Sequence, residues 1–176
     1  MKKHFSLLII IGFTMNIYGQ EPTSQYKKLA DEGLELLKQQ NITAAIDKYK
    51  QALEAKQNGV EAHYGLGVCY SAICIQNGNY CNEAINHFLE VEKLAKGYRS
   101  TYRNICTCFL KTFQYQKAID YANKAITQDG KDGESYFYRG FAKIELAKTK
   151  EACADLQQAL KLGFKEADNL LNKHCK

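Results

Sequence analysis

Ala45-Ile46-Asp47-Lys48-Tyr49 is echoed three more times along the chain, at Ala84-Ile85-Asn86-His87-Phe88, Ala118-Ile119-Asp120-Tyr121-Ala122 and Ala152-Cys153-Ala154-Asp155-Leu156. The leading alanines stand 39, 34 and 34 residues apart, and a second column follows seven residues later at Ala52, Val91, Ala125 and Ala159. Upstream, a small residue recurs at Gly33, Gly67, Cys106 and Gly140, in steps of 34, 39 and 34. A period of this length marks a stack of like supersecondary units, and such stacks usually serve as binding scaffolds. Glycine inside a helix costs ~1 kcal/mol relative to alanine. Its recurrence therefore predicts a close approach of a second helix, here expected opposite the recurrent alanine.

The columns resemble the tetratricopeptide repeat (TPR), a family in which each repeat pairs two antiparallel helices, A and B. The match runs through Leu29, Gly33, Leu36, Ala45, Tyr49 and Ala52 in repeat one, and through His63, Leu66, Gly67, Tyr70, Ala84 and Phe88 in repeat two. Repeat three supplies Tyr102, Ile105, Cys106, Phe109, Ala118 and Ala125, and repeat four Tyr136, Gly140, Ala152, Leu156 and Ala159. The resemblance implies an all-α fold, a right-handed superhelical solenoid of antiparallel helix pairs. The repeats are placed at 26–59, 60–98, 99–132 and 133–164, after a short lead at 20–25. Residues 165–176, with an apolar stripe of Ala167, Leu170 and Leu171, read as a capping helix that closes the open end. The family usually ends a repeat with proline. Here Gly59, Gly97, Gly130 and Gly163 occupy that place and predict left-handed caps after each B helix. Lys143 stands where repeat four should carry its first aromatic residue.

Residues 1–19 read as a secretory signal peptide: Lys2 and Lys3 precede a short apolar run from Phe5 to Phe13, with Gly19 before the expected cut at Gln20. The run is too short to span a membrane. Export into a periplasmic, envelope or extracellular setting follows from that reading. Removing the segment lowers the formal charge from +5 to +3. Charges of both signs are interspersed along the rest, which argues for an ordinary solvated surface rather than a nucleic-acid interface.

All seven cysteines lie beyond the signal, where an oxidising compartment would preserve disulfides. The 39-residue step places five extra residues between Gly67 and Ala84, around the turn sequence Gln76-Asn77-Gly78-Asn79. A projecting hairpin tip is expected there. Cys74 and Cys81 flank it, either as a disulfide staple or as two separate small buried residues. Cys153 in helix B of repeat four and Cys175 at the end of the capping helix are expected to form a disulfide if those helices pack antiparallel. Their surrounding segment also resembles the C-terminal ends of exported bacterial TPR proteins. Cys106 fills the small-residue column, and Cys69 and Cys108 hold equivalent places in successive A helices, leaving their pairing open.

No enzyme motif stands out. Cys106 and Cys108 at i and i+2 point to different sides of a helix, unlike structural zinc pairs. Asp47, Asp120 and Asp155 recur as part of a solvated helix surface. No Gly-rich phosphate loop or nucleophile motif occurs, and neither a metal nor a cofactor is expected. The resemblance instead implies a peptide groove on the inner face of the A helices. Ala30, Leu34 and Leu37 map to it from repeat one, and Tyr64, Val68 and Ser71 from repeat two. Arg103, Thr107 and Lys111 follow from repeat three, and Phe137, Tyr138 and Phe141 from repeat four. The face reads as apolar and aromatic with Arg103 and Lys111 as a central positive spot, suited to a peptide with hydrophobic anchors and an acidic group. The alternatives are a structural subunit of an envelope assembly that uses the solenoid edge, and a disulfide-stabilised Sel1-like repeat protein, which fits the cysteines but not the period.

Overall fold

A computed structural model describes residues 22–98 and 100–175; the expected signal segment lies outside the described residues. Among the described residues the chain forms nine α-helices and no strand. They are α1 (Pro22–Lys38), α2 (Ile42–Ala55), α3 (Val60–Asn77), α4 (Cys81–Leu94), α5 (Thr101–Lys111), α6 (Tyr115–Gln128), α7 (Gly133–Glu145), α8 (Thr149–Lys161) and α9 (Ala167–His174). Successive helices pack as antiparallel pairs, α1 with α2 through α7 with α8, and α9 closes against α8 and α7. The odd-numbered helices also pack on one another in series, whereas the backbones of successive even-numbered helices stay farther apart; α4 and α6 meet only through side chains, where Glu92 receives Lys124 and Tyr121. A stack whose A helices approach more closely than its B helices curves toward the A side. That curvature makes the A-helix face the concave one.

The small-residue column does admit a close approach, but what fills the space is a large B-helix side chain rather than the alanine. A Cβ added at Gly33 would lie 2.8 Å from the Tyr49 ring, and one at Gly67 2.6 Å from the Phe88 ring. Leu156 plays this part opposite Gly140. Repeat three reverses the sizes: Cys106 stands in the column and Ala122 in the large-residue slot, and both are fully buried. The larger column residue offsets part of the volume that alanine gives up in the facing slot.

The caps differ from expectation. Gly97 and Gly163 hold the left-handed conformation, at φ 77° and 91°. Gly59 does not. It is the N-cap of α3 at φ −73°, and the Tyr26 ring occupies the space a side chain would need. Gly130 is likewise absent from the left-handed set. Instead, the turns between A and B helices use it, at Gln40, Phe113 and Ala147, with φ between 57° and 61°. In each, paired backbone bonds close the helix end, such as Gln40 N–H to Leu37 C=O and Asn41 N–H to Leu36 C=O. This is the Schellman arrangement, which usually selects glycine at the left-handed position.

Lys143 now has a physical account. Its ammonium lies 2.9 Å from the Asp155 carboxylate, which also receives Arg139 through Nε at 3.0 Å and Nη2 at 2.5 Å. Asp155 is 5 % exposed, so it is a buried ionic hub and not part of a solvated surface, whereas Asp47 and Asp120 are exposed. A buried carboxylate is tolerated because two cations and their hydrogen bonds compensate its lost hydration.

Candidate functional site: the concave A-helix face

Two apolar clefts open on the concave face. The first, of about 540 Å³, lies between α1 and α3 and is lined by Leu34, Leu37, Tyr64 and Val68. Ala30 borders it but is itself buried. Tyr64 is fixed edge-on to both Phe88 and Tyr98, at ring separations of 5.8 and 5.4 Å. Its hydroxyl accepts from Asn104 Nδ2 at 3.4 Å, which ties α3 to α5.

The second cleft, of about 670 Å³, lies at the end of the face where A helices turn into B helices. Thr107 and Lys111 reach it from α5, and Phe137, Tyr138 and Phe141 from α7, so five of the residues expected in the groove converge here. Tyr138 is held by its hydroxyl, which donates to Glu134 Oε1 at 2.7 Å. Burial, reinforced by that carboxylate, pushes its phenol pKa well up, so it remains a neutral donor. Phe137 has a second role, packing on Phe164 ahead of the capping helix at 4.8 Å.

Ser71 is not on the open face: it is buried. Arg103 is not a free positive spot either. Its guanidinium contacts Asp132 and Glu134, each at 3.1 Å, and so bridges α5 to the start of α7. These carboxylates favour its charged form against the opposing effect of burial. Asp132 doubles as the N-cap of α7, accepting from the Ser135 backbone N–H at 3.3 Å. Lys111, by contrast, is exposed and forms no ion pair among the described residues.

The hairpin tip contributes more than the sequence indicated. Cys74 and Cys81 are joined by a disulfide, with Cα atoms 4.8 Å apart, and the stapled segment from Ile75 to Gly78 walls the second cleft. Leu110 and Phe113 complete the lining. Neither was singled out from the sequence, although Phe113 is an aromatic residue in a turn whose counterparts are Gln40 and Ala147. A second disulfide joins Cys153 to Cys175 and ties α9 to α8, with Cα atoms 5.7 Å apart. Cys69, Cys106 and Cys108 are buried thiols. Burial raises the pKa of all three, to about 11 for Cys69 and Cys108, which makes them packing residues rather than nucleophiles. No group of three or more metal-ligating side chains comes together among the described residues. No described helix is long and apolar enough to cross a membrane.

Comparison with known proteins agrees with this architecture. The TPR repeat family matches at residues 33–73. The TPR repeat-containing thioredoxin TDX of Arabidopsis thaliana is 34% identical over 92 residues, which are 52% of this chain and 24% of that protein. The chain thus spans about a quarter of the length of this curated relative. Among solved structures, the TPR domain of Arabidopsis OM64 is 31% identical with a TM-score of 0.56, over 65% of this chain and 95% of that domain. A MamA RS-1 double mutant superposes with a TM-score of 0.71 at 18% identity, over 79% of this chain and 75% of that one. At that identity the likeness concerns the fold alone.

Proposed function

The chain belongs to the tetratricopeptide repeat family, and from that premise we propose that it is an exported protein-interaction scaffold, not an enzyme, which holds a segment of its partner in the concave groove. The observation that carries this reading is the pair of apolar clefts on one continuous A-helix face. Apolar clefts with a few placed polar groups are the usual form of a recognition surface. The thiols are buried and their pKa values raised, as is that of the Tyr138 phenol, so none of these groups is activated as a nucleophile. Export is supported by the signal-like residues 1–19 and by two disulfides, which persist in oxidising compartments.

The test is an affinity pull-down from the envelope fraction with residues 20–176 as bait, read by mass spectrometry. Leu34→Asp and Phe141→Asp, one in each cleft, should each lose the captured partner while keeping helical circular dichroism. Capture unchanged by both variants would place the contact on the solenoid edge and reject the groove. Export is checked separately, by intact mass of the endogenous protein, which should begin at Gln20.

A further inference from the structure

Phe113 is anomalous on two independent counts. It is 76 % exposed, and it holds a left-handed backbone at φ 59° in a Schellman turn, where glycine is favoured. Its ring meets Tyr115 edge-on at 6.3 Å, which leaves most of its surface in water. Neither core packing nor backbone preference accounts for an aromatic residue there. Strain combined with exposure is characteristic of contact residues. Beside it, Ile75 is 48 % exposed on the stapled tip, and both side chains border the second cleft.

The charges around this cleft are unequal. Arg103 is committed to Asp132 and Glu134, Lys143 to Asp155 and Glu151, and Arg139 to Asp155. Glu134 is engaged by Tyr138 as well as by Arg103, and Glu145 accepts from Tyr115. Lys111 is the cation at the cleft with no carboxylate in ion-pair range among the described residues. An apolar cleft with an uncommitted ammonium at its rim complements an apolar anchor followed by a carboxylate.

We propose that the partner docks at the turn end of the groove through an acidic, apolar peptide segment, its anchor side chain between Phe113, Leu110 and Phe141 and its carboxylate on Lys111. This rests on the groove reading above and narrows it to one end and one peptide chemistry. The Cys74–Cys81 staple serves as the fixed wall, holding Ile75 to Gly78 against the anchor without adding ordering entropy on binding. Residues of repeats two, three and four thereby converge on one anchor site, while the first cleft is an extension for the rest of the segment.

The test uses an array of 12-residue peptides carrying a Leu–Phe pair and one Asp at every mutual spacing. Matched arrays replace Asp by Asn or Lys, or the apolar pair by Ser. The mature chain should bind the Asp array at least tenfold more tightly than the Lys array, and the Ser array not at all. Phe113→Gly should lower affinity about tenfold while leaving the unfolding midpoint unchanged or raised, since glycine relieves the strained turn. Lys111→Glu should invert the preference toward the Lys array. If both variants bind as the wild type does while Leu34→Asp abolishes binding, the turn-end proposal fails and the groove reading stands. If no array peptide binds, the proposal is overturned. The groove reading falls with it only if Leu34→Asp and Phe141→Asp also leave pull-down capture intact.

Discussion

Tyr49 shows how single residues set the stack. Its ring, 3 % exposed, is held between Gly33 of its own repeat and Gly65 of the next. A Cβ added at Gly65 would lie 2.2 Å from the ring, and the ring has α1 on its other side, so it has nowhere to retreat. Gly65→Ala should therefore destabilise the fold by about 1–3 kcal/mol through overpacking. Gly130→Ala, where a Cβ meets nothing nearer than a backbone oxygen at 3.9 Å, should change stability by less than about 0.5 kcal/mol. Urea midpoints of the two variants decide the matter, and equal midpoints would refute the clamp. The sequence disclosed half of this arrangement. Gly33 and Gly67 stand in a repeating column, whereas Gly65 falls outside any column and becomes visible only when two repeats are stacked. Asp155 escaped detection for a related reason: its partners Arg139 and Lys143 occur together in repeat four alone, so periodicity carries no trace of its burial.

At the scale of elements, the pair α3 and α4 holds a titrating contact. His63 Nε2 lies 3.1 Å from the Gln57 carbonyl oxygen, and His63 Nδ1 lies 3.0 Å from His87 Nδ1. A carbonyl only accepts, so His63 carries its proton on Nε2 and accepts at Nδ1 from His87 Nδ1–H. His87 also stacks on Tyr70, with rings 5.8 Å apart. Burial pushes its pKa down to about 4, helped by His63 and Lys50 and opposed by Glu83 and Glu90. The ordinary value is about 6.5. Between these values the unfolded chain binds a proton that the folded chain refuses, so stability rises with pH across the window. It is lost as pH falls from about 6.5 toward 4 and levels off below. Because the ring is only partly buried, the loss should be about 1–2 kcal/mol rather than the full shift. His87→Phe keeps a ring on Tyr70 without titrating. Its urea midpoint should be flatter than that of the wild type between pH 6.5 and 4.5, and parallel curves would reject the assignment. The helix pair itself was legible from the repeat, and the 39-residue step located the turn that the Cys74–Cys81 disulfide staples, with the extra length carried by α3 rather than α4. The left-handed turns at Gln40, Phe113 and Ala147 were not, since no glycine announces them. Nor was the neutralisation of Arg103, whose partners Asp132 and Glu134 lie about thirty residues onward, where only tertiary register brings them back.

The whole molecule is a chain of neighbour contacts, with each helix packing on its sequence neighbours and each A helix also on the next A helix. Its buried apolar residues divide accordingly. One cluster runs continuously from Tyr26 through Ala142, while Leu156, Ala159 and Ala167 form a separate one beneath the cap. Stability in such a stack is approximately a sum of local and nearest-neighbour terms, so the ends can open without the middle. The cap is the short helix α9, and little apolar surface holds it. The Cys153–Cys175 bond spans 22 residues and closes a loop over exactly this end. In the chain-entropy account a loop of that length contributes about 3 kcal/mol. Replacing both cysteines by serine should therefore lower the opening free energy of α8 and α9 by about that amount, a loss of roughly a hundredfold in amide exchange protection. Helices α1 to α4 should keep their protection, because their packing does not involve the cap. Native-state hydrogen exchange read by mass spectrometry on peptides from α2, α4, α8 and α9 distinguishes the two cases. Protection that falls equally in all four would mean that the solenoid unfolds as one unit, and that the bond stabilises the whole of it rather than its C-terminal end.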